Sequence, residues 1–413
     1  MTTELTLERL NRAVREDAAI RRVRRLQPAG GAGDKIFPPT YPGERNNAPP
    51  RHVFEYRRVG GSNVLCVLID SVQSQANRLE EALRLARDAG DIAFPVIAVN
   101  FGKTEIPDIG TITTLEAPHR VFDAIVRDSQ YEGRPFRETE HGKRLVEAKT
   151  QNARAVYDLS PAALVFGAWN STGEGGGLGA KFPRVVVSEI VGFGVATETG
   201  TEVPSGKRTG SRIDPLGIRS AVRVYKQPNG DWTLEPLRDA KGKPAAAKEV
   251  KPSEVNHSNI APSVTPLGVS VDYAQHTFVL SFPALRRLCF TQRAGGASDV
   301  DVSMRTRLAA LGLVAAAAQD RAGYALRSRC DLVPEGAATG AFEIVRADGS
   351  TDTFTLGYEE ATALLRSAVD VTPREARWRE KDVVLEPQKK LVDLVRLSRE
   401  KALEGVAETE NGD

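Results

Sequence analysis

The residues able to do chemistry cluster in loops. The densest run is Trp169-Asn-Ser-Thr-Gly-Glu-Gly-Gly-Gly-Leu-Gly-Ala-Lys181, where few side chains stand between a phosphate and the backbone N–H groups. It is not a phosphate-binding loop of the Gly-x4-Gly-Lys-Ser/Thr kind, because Ala180 separates Gly179 from Lys181 and Phe182 takes the hydroxyl position. Gly175-x-Gly177-x-x-Ala180 meets a relaxed dinucleotide fingerprint, but Pro183 and the β-branched Val185 to Val187 follow where its helix should begin. A ligand-moulded loop is the better reading, and a nucleotide-binding enzyme built on Gly175 to Lys181 the weaker one.

Positive charge is concentrated by place. Between Ser205 and Lys226 stand Lys207, Arg208, Arg212, Arg219, Arg223 and Lys226 against the single Asp214, and further arginines mark Arg21 to Arg25, Arg286-Arg287, and Arg327 and Arg329. Such clusters neutralise phosphates and release counterions, or form solvated surface patches. Arg327 and Arg329 alternate onto one face of an expected strand, with an ion pair to Asp331 as the plainer use. Tyr41, Trp169 and Phe193 lie in or near glycine loops where bases could stack. Asp34, beside Lys35 in the loop from Pro28, is the carboxylate best placed for a metal; a turn-stabilising aspartate is the simpler reading. His52, His119, His141, His257 and His276 share no metal-type spacing.

The chain must supply elements to position these groups. With 413 residues it has ample core-building material, and 56 Lys+Arg against 54 Asp+Glu exclude a histone-like polyelectrolyte. Three distant cysteines, Cys66, Cys289 and Cys330, suit a reducing compartment rather than a disulfide framework. The longest apolar run, Leu308 to Ala318, is too short to span a bilayer and reads as a buried helix. The early charges Glu4, Glu8 and Arg9 leave no apolar signal region, so a cytoplasmic protein is expected, with no membrane partner.

Periodicity predicts an amphipathic helix near Leu5 that passes into a basic strand at Ile20 to Leu26. It predicts a strand at Asn63 to Asp70 running directly into a helix from Ser71 to Ala89. Further strands are expected at Ala163 to Phe166, Arg184 to Ile190, Gly268 to Phe282 and Tyr324 to Val333, and helices at Arg137 to Tyr157, Asp299 to Asp320 and Tyr358 to Ala368. Gln-Pro-Asn-Gly between Arg219–Lys226 and Asp231–Glu235 signals a hairpin. The sum is an α+β fold: one elaborated domain over residues 1–372, with insertions near 28–60, 167–183, 204–218 and 236–266, and a charged tail at 373–413, partly helical or disordered.

Five stretches together carry a resemblance: QPAGGAGDKIFPPTY (Gln27 to Tyr41), LIDSVQSQANRLEEAL (Leu68 to Leu83), PHRVFDAIVRDS (Pro118 to Ser129), FGAWNSTGEGGGLGAKFPRVVVSEIVG (Phe166 to Gly192) and LRSRCDLVPE (Leu326 to Glu335). They resemble the backbone RAMP subunit of type I-U (also I-G) CRISPR interference complexes. The resemblance implies an RNA-recognition-motif-like (ferredoxin-like) palm with inserted finger and thumb elements. It implies a scaffold, not an enzyme, that binds CRISPR RNA in many copies and presents its spacer to the target DNA strand. Its partners would be copies of itself, the RNA-processing and large subunits, and a recruited helicase-nuclease; no cofactor or metal is implied. The alternative is a metal-dependent ribonuclease using Asp34. The RNA-contacting residues expected on this basis are Lys35 and Tyr41; Gln73, Gln75, Asn77 and Arg78; Asn170, Ser171 and Lys181; Lys207, Arg208 and Arg212 as a thumb; and Arg327 and Arg329 on the palm. Gln73 and Asn77 share a helical face that Gln75 does not.

Overall fold

A computed structural model describes residues 3–43, 51–170, 179–227, 230–236, 248–291, 298–336, 340–370 and 373–405. The chain forms two compact units, residues 1–204 with 268–388, and residues 205–267 with 389–413.

The first unit is built on a ten-stranded sheet, in the order Thr3–Glu4, Thr351–Thr355, Phe342–Val345, Ala19–Pro28, Tyr273–Ser281, Val186–Phe193, Ser62–Asp70 and Phe54–Val59; Cys330–Pro334 pairs Ala19–Pro28 and Tyr324–Arg327 pairs Cys330–Pro334. The three central strands run antiparallel through long unbroken registers, Ser281 opposite Ala19 to Ala274 opposite Leu26, and Val186 opposite Leu280 to Phe193 opposite Tyr273. Alternation divides the sheet in two. Ile20, Arg22, Leu26, Ala274, His276, Phe278, Leu280, Ser188 and Ile190 are buried on one side, while Arg21, Val23 and Arg25 on the other are exposed.

The buried side receives the helices Val72–Asp88 and Asp299–Ala322. Leu308 to Ala318, the predicted buried helix, lies wholly inside the second of these. Its alanines favour helix with no loss of side-chain rotamers, and their small size brings helix and sheet together. Gly312 completes that approach, because a Cβ there would sit 3.0 Å from Val186 Cγ2 and 3.2 Å from Leu280 Cδ1. At its start, Ser298 accepts from the Asp301 N–H at 3.1 Å.

A chain of polar side chains threads this interface. Asp70, fully buried, accepts from Ser74 Oγ (2.8 Å), Gln75 Nε2 (2.6 Å), Arg78 Nε (2.9 Å) and Arg327 Nη2 (3.0 Å). Gln319 Nε2 donates to Gln75 Oε1 at 3.1 Å, and Ser188 Oγ stands 3.0 Å from the same oxygen and 2.7 Å from His276 Nε2. At the far end Tyr324 donates to Asp320 at 2.6 Å, and Asp320 also receives Arg22 and Arg24. His276 Nδ1 lies 3.1 Å from the Tyr324 hydroxyl, which joins the imidazole to both ends of the chain.

Several elements differ from the sequence reading. Ala163 to Phe166 belongs to the helix Ala162–Phe166 rather than a strand, since a short run buried on all sides has no periodicity to separate the two. The expected helix Arg137 to Tyr157 is interrupted between Glu140–Val146 and Arg154–Leu159 by a turn in which Lys149 bridges Asn152. Tyr324 to Val333 is a hairpin, not one strand: Arg329 sits at its turn with φ 57°, so Arg327 and Arg329 share no strand face, and Arg327 pairs with Asp70 rather than Asp331. Beyond residue 373, Val383–Pro387 runs parallel to Ile97–Asn100 in a five-stranded sheet.

In the second unit, Arg208–Arg212 pairs Ile260–Thr265, and Val224–Lys226 lies between Trp232–Thr233 and Lys248–Val250. The strands of the predicted hairpin pair as Tyr225 opposite Thr233 and Lys226 opposite Trp232, while Pro228 and Asn229 of its turn lie outside the described residues. The helix Lys389–Gly405 belongs to the same unit.

Two outcomes follow from the polar chain. Asp70→Ala leaves Arg78 and Arg327 without their shared carboxylate; because each retains 26% side-chain exposure and can turn to water, the loss should be about 3 kcal/mol, at the low end for a broken buried pair, measured by urea unfolding. Burial, with Arg22 adding to it, pushes His276 from 6.5 down to about 3. Acid therefore protonates the unfolded imidazole first, and stability present above pH 6.5 is lost progressively as pH falls toward 3. Between pH 7 and 5 this amounts to roughly 2 kcal/mol, which His276→Gln should remove from the pH dependence of unfolding.

Candidate nucleic-acid interface

The face of the sheet turned away from the helices carries a cation and stacked rings. Arg21, Val23 and Arg25 point outward from Ala19–Pro28, and the odd-numbered residues Tyr273, Gln275 and Thr277 are half-buried beside them. The Arg25 guanidinium lies 4.1 Å from the Tyr273 ring centroid, and Tyr273 stacks on Phe193 at 5.2 Å and 8°. Phe193 packs with Cys66 and Val191 in a small apolar cluster that supports the stack from beneath. Not every charge here is available. Arg21 pairs with Glu343 at 2.6 Å, and Arg57 with Glu55 at 2.6 Å and Glu189 at 2.8 Å. Arg25 makes no ion pair among the described residues.

The first loop is tied down at its aromatic residue. Lys35 Nζ lies 5.5 Å and Arg329 Cζ 5.3 Å from the ring of Phe37, whose N–H donates to the Arg329 carbonyl at 2.9 Å. These two residues, far apart in sequence, therefore meet. Tyr41 is exposed, and its backbone bridges Arg51. Asp34 accepts from the Lys35 N–H at 2.8 Å, and its carboxylate occupies the space a Cβ on Gly30 would need, 2.2 Å away. That is the geometry of a turn-closing aspartate.

Where strand becomes helix, Ser71 caps the first turn by accepting from the Ser74 N–H at 3.3 Å. Gln73 and Asn77 are exposed on one helical face. Gln75 is fully buried and serves the polar chain, so its expected role against RNA is corrected: no part of it reaches the surface. Arg78 and Arg327 are held by Asp70 and also donate to the carbonyls of Leu326 (2.6 Å) and Ile69 (2.8 Å), which locks helix, strand and hairpin together.

The glycine-dense loop springs from a two-stranded hairpin, with Trp169 opposite Lys181 and Ala168 opposite Phe182. Lys181 therefore stands in a strand and not at a helix start, which is why a phosphate-loop reading has no helix to rest on. Lys181 Nζ lies 5.7 Å from the ring of Trp169, and both residues are exposed. Asn170 is buried at 8% exposure, its N–H donating to Ala180 at 2.9 Å; Ser171 lies outside the described residues. Beneath the hairpin, Glu80 receives Arg120 through two 2.6 Å bonds, and Arg120 reaches the Gly167 carbonyl at 3.0 Å. Burial lifts the Glu80 carboxyl to about 7 against the pull of Arg120 and Arg184. Burial and the neighbouring Arg120 lower Arg184.

In the second unit Lys207 and Arg208 are exposed, whereas Arg212 donates to the carbonyls of Ser258 (3.1 Å) and His257 (2.7 Å) and so shapes the turn preceding Ile260–Thr265. Asp214 accepts from the Ser258 N–H at 2.5 Å, which accounts for the lone acid in the basic stretch.

Arg25, Tyr273 and Arg184 escape a search for charge runs. The outward alternation of Arg21, Val23 and Arg25 was available in the sequence, but only strand pairing brings Tyr273 to the same side, and nothing local marks Arg184. No curated protein matches the chain. Residues 20–197, which include the central strand, the Asp70 junction and the hairpin beneath the glycine loop, match the family model described as CRISPR-associated protein GSU0053.

Proposed function

We propose that this chain is a non-catalytic backbone subunit of a type I-U (I-G) CRISPR interference complex. Several copies would hold one CRISPR RNA without regard to sequence and offer its spacer to the target strand. The family match supports a CRISPR role for residues 20–197. The order Cys330–Pro334, Ala19–Pro28, Tyr273–Ser281, Val186–Phe193, with the helices Val72–Asp88 and Asp299–Ala322 on its buried side, supports the reading of a ferredoxin-like, RNA-recognition-motif-like palm.

The observation that carries the reading is the outward side of the sheet, where the exposed Arg25 lies on Tyr273 and Tyr273 on the buried Phe193. The exposed Arg25 guanidinium, supported by the Tyr273 ring, can meet a phosphate or the face of any base. Neither interaction distinguishes one sequence from another, as guide binding requires if base pairing supplies the specificity. Lys207 and Arg208 add exposed charge from the second unit. In this reading the partners are further copies, the RNA-processing and large subunits, and a recruited helicase-nuclease.

Co-expression with the partners should yield a multimer carrying a discrete RNA; a nucleic-acid-free monomer would end the proposal. Cuts at regular intervals in complementary RNA that need Mg²⁺ and vanish in Asp34→Ala would replace the scaffold with a ribonuclease. Arg25→Ala with Tyr273→Leu should weaken RNA binding by about tenfold or more, given ~1–3 kcal/mol per stacked base. Replacing Lys207 and Arg208 by Ala should flatten the dependence of log affinity on log salt by roughly 1.4, since each single-strand phosphate left without its cation lowers the slope by about 0.7. Arg212→Ala should instead lower the melting temperature of the second unit.

A further inference from the structure

The cavity beneath the glycine-loop hairpin gathers more positive charge than the described residues around it balance. Its volume is about 340 Å³ and its lining includes His119, Arg120, Gly167, Trp169, Lys181 and Arg184. That volume lies within the ~300–1,000 Å³ typical of small-ligand sites. Arg120 is satisfied by Glu80 and the Gly167 carbonyl. Arg184 is not: it makes no hydrogen bond or close ion pair among the described residues, and its Nε is buried without a partner. A guanidinium N–H buried without a partner is costly and calls for an acceptor. Lys181 brings a second cation to the same space, and Trp169 a ring that is 48% exposed.

The cavity floor is built for this arrangement. Gly167, at φ 84°, lies so close to Arg184 that a Cβ would come within 3.0 Å of Arg184 Cγ and of the Phe182 carbonyl. Arg120, which braces the floor, is held in the left-handed region at φ 53°, a conformation that a non-glycine residue keeps only when its surroundings enforce it. Among the described residues Glu80 pairs with Arg120, and neither Arg184 nor Lys181 has a carboxylate in ion-pair range.

We infer that this cavity binds a nucleotide, with its phosphate between Arg184 and Lys181 and its base on the exposed ring of Trp169. The guanidinium offers paired N–H donors in the geometry of phosphate oxygens, and the lysine adds a point charge. The inference deepens the proposed RNA grip, on which it rests, by giving it a second hold, but the same chemistry also fits a free nucleotide.

The test uses the full chain, free and as co-purified complex, with adenosine 5′-monophosphate, inorganic phosphate and an ultraviolet crosslink to the bound RNA. Adenosine monophosphate should change the emission of Trp169, identified by loss of the signal in Trp169→Leu, and should bind at least tenfold more tightly than phosphate alone. Arg184→Gln should weaken it by about tenfold or more, with Arg184→Lys recovering part of the loss. A crosslink from complex-bound RNA to Trp169 without binding of the free nucleotide places a strand nucleotide in the cavity. Nucleotide binding by a chain that never takes up RNA keeps the cavity site and discards the backbone reading. The inference is overturned if adenosine monophosphate leaves Trp169 unchanged and no RNA crosslink reaches it, in variants whose melting curves match the parent.

Discussion

Asp70 places a carboxylate at the point where a strand ends and a helix begins, with none of its side chain in contact with solvent. A carboxylate in that position is tolerable only if its oxygens are filled, and four donors fill them: Ser74, Gln75, Arg78 and Arg327. The donors come from the helix Val72–Asp88 and from a hairpin more than two hundred residues later. One ion thereby fixes the strand, the helix and the hairpin against one another. Gln75 then hands the requirement on through Ser188 and His276 to Tyr324 and Asp320, so that the central strands and the long buried helix share one hydrogen-bonded chain. Such a chain stabilises only when complete, because each member would be an orphaned polar group without the next.

That constraint sorts the cations of the molecule. Arg22, Arg78, Arg120, Arg212 and Arg327 are committed to buried or half-buried acceptors and maintain the fold. Arg25 and Arg184 make no ion pair among the described residues. Arg25 lies against a ring on the open face, and Arg184 faces a cavity. The near-neutral total of 56 basic against 54 acidic residues conceals this division, since binding depends on which charges are left uncompensated and where.

Much of the framework was legible because its periodicity is strong. The junction at Asp70, the buried alanine-rich helix and the Asn-Gly hairpin all follow from alternation, propensity and turn chemistry. The short elements were not, as Ala162–Phe166 illustrates: it is apolar throughout and buried on every side, so no period separates helix from strand. Of the residues expected to meet RNA, Gln73, Asn77, Lys181, Lys207 and Arg208 remain at the surface, while Gln75 and Asn170 are inside. A polar residue beside a binding motif looks the same in sequence whether it faces ligand or completes a buried network.

The amino-acid sequence by itself determined which segments could be helix or strand, where glycine relieves the backbone, and that positive charge gathers in a few places, since these depend on neighbours within a turn or two. Tertiary structure alone decided that Arg327 answers Asp70 and not Asp331, that Tyr273 meets Arg25, and that Arg184 Nε is buried without a partner among the described residues. The physical reason is that hydrogen bonds and ion pairs act over a few ångströms, and chain packing, not sequence separation, decides which groups come that close.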